Sequence, residues 1–68
     1  VNAERLKEVR RSVDRCATEI HRTLVELTRL AFDAPEEVEQ SLTALMSHLD
    51  EAYNYALSAS GRLQQAEE

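Results

Sequence analysis

The sequence is poor in the residues that interrupt or staple a chain. Its 68 residues include one glycine, one proline, one cysteine and no tryptophan. A lone Cys16 excludes an internal disulfide and fits a reducing, cytoplasmic setting. Few breakers and 43% apolar residues exclude a disordered tail. No apolar run approaches the ~18 residues of a membrane span. The opening Val1-Asn2-Ala3-Glu4-Arg5 is polar and carries no signal-peptide pattern. The first residue is not Met, as expected of an excised piece of a longer chain or a processed product.

What remains is rich in Ala, Leu, Glu and Arg, the helix formers. The net charge of −5 argues against general nucleic-acid affinity. Charge is unevenly spread. Residues 1–33 hold seven basic and six acidic side chains, whereas residues 34–68 hold one and seven. The basic excess sits at Arg5, Lys7, Arg10, Arg11 and Arg15.

The periodicity predicts an all-α chain, an antiparallel two-helix hairpin with helices over about 2–32 and 34–66, in a single domain spanning 1–68. In the first helix Leu6, Val13, Ile20 and Leu27 are seven apart, heptad position a. Val9, Cys16, Thr23 and Leu30 take position d, and Ala17, Leu24 and Ala31 take position e. A stripe of three columns is wider than a two-stranded coiled-coil seam. In the second helix Leu42, Leu49, Ala56 and Leu63 fall at a, with Val38, Leu45, Ala52, Ala59 and Ala66 at d. Between the helices, Asp33 followed by Glu36 reads as a capping-box variant. Pro35 fits a first helical position, and Glu36, Glu37 and Glu39 suit the positive end of the new helix dipole. Gly61 either continues the second helix or ends it near Ser60.

Facing positions of an antiparallel pair have a nearly constant index sum. Leu6 with Leu63, Val13 with Ala56, Ala17 with Ala52 and Ile20 with Leu49 all add to 69. That register predicts one apolar seam with wet flanks at Ala17, Leu24, Met46 and Tyr53. A domain below about 70 residues without metal or disulfide usually needs further burial. A second hairpin, supplied by a two-fold copy or a helical partner, would complete a four-helix bundle. The expected interface is Ala17, Leu24, Met46, Tyr53 and Leu57, with Val25 and Phe32 on the outer face of the first helix. Arg5, Arg10, Arg11 and Arg15 would meet Glu36, Glu37 and Glu39 of an inverted partner.

Signs of chemistry are sparse. His21, His48 and Cys16 lack the spacing and the fourth ligand of a metal centre. His48 pairs with His21 under the register above, and Cys16 reads as a small core thiol. His21 on a bundle helix resembles the phosphoacceptor of sensor histidine kinases, but Arg22 stands where those have an acidic residue. Asp50 with Ser47 falls one residue short of the Ser-x-x-x-Asp element of helical-hairpin phosphatases. No phosphate loop and no Ser/His/Asp set is present.

The segment His48-Leu49-Asp50-Glu51-Ala52-Tyr53, with Leu57 and Gly61 after it, resembles the second helix of the plasmid copy-number regulator family Rop. That resemblance implies a hairpin that dimerises into a four-helix bundle and binds paired RNA loops through helix one. The outward positions here read Arg11, Arg15 and Glu19, without the aromatic of that family. The expected function is a non-enzymatic, cofactor-free helical interaction or oligomerisation module, with a homodimer as its favoured form. The alternatives are a small RNA regulator using the basic surface of helix one and a histidine phosphotransfer helix pair.

Overall fold

A computed structural model describes residues 2–68. It holds two helices, α1 (Ala3–Ala31) and α2 (Glu36–Glu67), folded back on each other, and no strand among the described residues. Asn2 caps α1: its backbone is extended, and its Oδ1 accepts from the Glu4 N–H at 2.9 Å. This satisfies one of the free donors of the first turn. With no Gly or Pro inside, α1 runs unbroken for 29 residues, about 44 Å at 1.5 Å per residue. The second helix passes straight through Gly61, whose φ is not positive, and ends at Glu67.

The turn departs from the capping-box expectation. Helical winding continues past Ala31 with tighter hydrogen bonds: Phe32 N–H to the Arg29 carbonyl, Asp33 N–H to Leu30 and Ala34 N–H to Ala31, at 3.2–3.4 Å. Pro35 then disfavours the helical region for Ala34, because its ring crowds the preceding residue. As a result α2 begins at Glu36, two residues later than expected. Pro35 itself stands at the N-cap, and no side chain caps the helix. Asp33 lies two residues too early to cap it. The first turn relies instead on Glu36, Glu37 and Glu39 against the helix dipole.

The later crossover changes the register. Asp14 meets Ser60, His21 meets Tyr53 and Thr28 meets Met46, and each pair adds to 74 rather than 69. The helices are thus slid by more than one turn relative to the expected pairing. Heptads of Leu and Ala tolerate such a slide, so the position of the turn decides it.

The seam also uses a different pair of columns. Leu6, Val13, Ile20 and Leu27 are half-buried at position a, as expected. Their companions in the seam are the e positions: Arg10, Ala17, Leu24 and Ala31 on α1, Met46, Tyr53, Ser60 and Glu67 on α2. Position d on α1 (Val9, Cys16, Thr23 and Leu30) is exposed along its whole length, and so are Val38, Leu45 and Ala66 on α2. Cys16 is therefore an exposed thiol and not part of a core.

The result is a rod of 50 × 14 × 12 Å with a radius of gyration of 15.5 Å. A compact chain of this length has about 11 Å. Ala17, 5% exposed, is the one buried residue among those described. The accessible surface is 5471 Å². A compact monomer of this mass would expose only about 4,300 Å².

Candidate interaction surface

The two long sides of the hairpin differ in chemistry, and the difference follows from which columns enter the seam. With a and e between the helices, the b positions flank one side and the d positions the other. Helical phase puts the d columns of both helices on the same side, because the pair is antiparallel.

The side flanked by b is closed by polar contacts that cross from helix to helix. At the open end, the Arg10 guanidinium grips the Glu67 carboxylate, with Nη2 donating to Oε1 at 3.2 Å. Nε also lies close against Oε2, but off the hydrogen-bonding line. One turn on, the Ser60 hydroxyl donates to the Asp14 carboxylate. The His21 and Tyr53 rings then meet, tilted, with centroids 5.4 Å apart. Near the turn, the Thr28 hydroxyl bonds its own helix at the Leu24 carbonyl, 2.8 Å, and lies 3.5 Å from the Met46 sulfur. Leu57 borders this side, in a shallow groove with Asp14, Ala17, Thr18, His21 and Tyr53.

The opposite side has no such latches among the described residues. It presents Val9, Cys16, Thr23 and Leu30 from α1 and Val38, Leu45, Ala52, Ala59 and Ala66 from α2. Leu30 is 61% exposed and Leu45 45%. A groove toward the open end is lined by Val9, Val13, Tyr55, Ala59, Arg62 and Leu63. We call this the bare face.

The expected interface residues do not gather on one surface. Ala17, Leu24, Met46 and Tyr53 lie in the seam of the hairpin itself, and Ala17 has almost no area left to offer. Leu57 is on the latched side. Val25 borders a polar groove with Thr18, His21, Arg22, Glu26 and Arg29, and Phe32 is 90% exposed at the turn. Among the charged set, Arg5 pairs with Glu8 at 3.5 Å on the same helix, and Arg10 is taken by Glu67. Arg11, Arg15, Glu36, Glu37 and Glu39 are exposed. His21 and His48 share no edge: His21 is beside Tyr53 on the latched side, and the phase of His48 puts it at the rim of the bare face. No group of three or more His, Cys, Asp or Glu suited to a metal ion occurs among the described residues. No helix is long and apolar enough to cross a membrane among the residues described.

The chain matches no protein-family model, no curated protein and no solved structure. The bare face is the feature that sequence reasoning missed. All its apolar residues were visible as stripe members, but they were placed inside the hairpin. A signal for the correct choice was present in Arg10 and Glu67. They occupy the e columns at the two chain ends that meet, and they carry opposite charge.

Proposed function

We propose that this chain is a non-enzymatic helical assembly module that associates through its bare face, with a second copy of itself as the favoured partner. One observation carries the reading: among the described residues the folded hairpin buries only Ala17, and it leaves the whole d column of α1 and Val38, Leu45 and Ala66 of α2 exposed. The surface it exposes beyond that of a compact monomer, about 1,100 Å², exceeds the roughly 800 Å² per partner of a standard interface. Covering the d columns turns the two-column seam into the three-column stripe of a four-helix bundle, using the a, d and e columns of both helices.

The side-chain chemistry of the hairpin suits this role better than catalysis. His21 and Asp14, the reactive groups nearest the seam, are engaged by Tyr53 and Ser60. The grooves along the rod are shallow depressions between side chains, unlike a pocket that encloses a substrate.

Thermal melting followed by circular dichroism tests the proposal. If folding is coupled to association, mass action raises the midpoint with protein concentration. We expect a rise of several degrees over a hundredfold concentration range. A midpoint independent of concentration would refute self-assembly.

A further inference from the structure

Resting on that reading, we infer that two copies stack bare face to bare face with their turns at opposite ends, so that α1 lies along α1 of the second copy and α2 along α2. Charge selects this arrangement. In the folded hairpin the relevant division is between ends, since residue 17 lies level with residues 56–57. The open half, residues 2–17 and 57–68, holds six basic and five acidic side chains, a net +1. The turn half, residues 18–56, holds two basic and eight acidic, a net −6. Turns at the same end would bring the two −6 halves together. Opposed turns bring each −6 half against a +1 half, which favours encounter and orientation.

The apolar columns accept the same arrangement. Full overlap of the rods centres the two-fold axis near residue 20 of α1. Val9 then faces Leu30 of the second copy, and Cys16 faces its Thr23. On α2 the same axis crosses near residues 53–54, so Leu45 falls between Ala59 and Ala66 of the second copy, and Ala52 between its Ala52 and Ala59. Large side chains oppose small ones in the α2 layers, which lets the helices approach without voids. Arg5 comes level with Asp33 of the second copy, joining the basic open end to the acidic turn.

Two measurements on the 68-residue chain separate this arrangement from its rivals. In a Thr23→Cys variant that keeps Cys16, the two thiols of one helix are about 10 Å apart along the axis, too far for an intrachain bridge. Mild copper-phenanthroline oxidation, which takes the two electrons of each thiol pair, should yield a covalent dimer at least tenfold faster than in the parent chain. In a Cys16→Ser, Phe32→Cys variant, spin labels at the exposed turn should lie about 38 Å apart along the rod. Turns at the same end would put them within about 20 Å, the width of two helices.

Short label separation would overturn the arrangement and leave self-assembly standing. A dimeric mass with long separation but no cross-link would overturn the bare face as the contact. A helical chain that stays monomeric at hundreds of micromolar would overturn both, and would assign the face to a different protein. If Thr23→Cys loses helicity, the labels alone decide the orientation.

Discussion

The two long sides of this hairpin are made from the same two helices and from neighbouring heptad columns, yet they do opposite things. The latched side is closed by Arg10–Glu67, Asp14–Ser60, His21–Tyr53 and Thr28–Met46. These groups tie α1 to α2 and leave little for a partner. The bare side has Val9, Leu30, Val38 and Leu45 in water with nothing across from them. Polar side chains at the seam edge fix which columns face inward, and so decide which apolar columns are left over. In a chain this small, specificity within the hairpin and the proposed association between hairpins would be two outcomes of one choice.

Leu45 and Leu57 allow the sharpest test of that comparison, because they are equally exposed, 45% and 47%, on opposite sides. Leu45→Glu should raise the dimer dissociation constant at least a hundredfold, whereas Leu57→Glu should change it less than threefold. Sedimentation equilibrium reads both. Equal effects would erase the distinction between the sides. Ala17→Leu acts on the seam that both sides share. Overpacking the one buried position should destabilise the fold by about 1–3 kcal/mol in urea unfolding. Asn2→Ala removes the cap of α1 and should cost about 1 kcal/mol, seen as fraying at the open end by hydrogen exchange. Gly61→Ala should stabilise α2 by about 0.5–1 kcal/mol, because φ is not positive there and an added Cβ meets nothing within 4 Å. The smallest effect concerns the Arg10–Glu67 latch. A double-mutant cycle with Arg10→Met and Glu67→Gln should give a coupling of about 1 kcal/mol or less, since Arg10 keeps about a third of its side chain in water.

Much of the fold was legible in the sequence. The absence of breakers over residues 3–31, and Pro35 after it, set two helices and one turn to within two residues. The a columns were read correctly in both helices. Two things were not legible, for one reason. The stripe has three apolar columns, and a two-helix seam needs only two, so a with d and a with e look alike to hydrophobic periodicity. Register goes with that choice, since packing a against e moves the index sum from 69 to 74, and the seven-residue repeat favours neither sum. What breaks the tie is polar and local. The tightened winding through Asp33 and Ala34 moves the crossover, and the moved crossover brings Arg10 to Glu67 and Asp14 to Ser60. These partners are 57 and 46 residues apart in the chain, and only the folded register makes them neighbours.

The most direct test of the central claim is the mass of the unmodified chain in solution. Light scattering across a concentration series, read beside helicity, should give twice the 7.7 kDa of one chain at tens of micromolar. Helicity should fall together with mass on dilution. A fully helical 7.7 kDa species at every concentration would contradict the account.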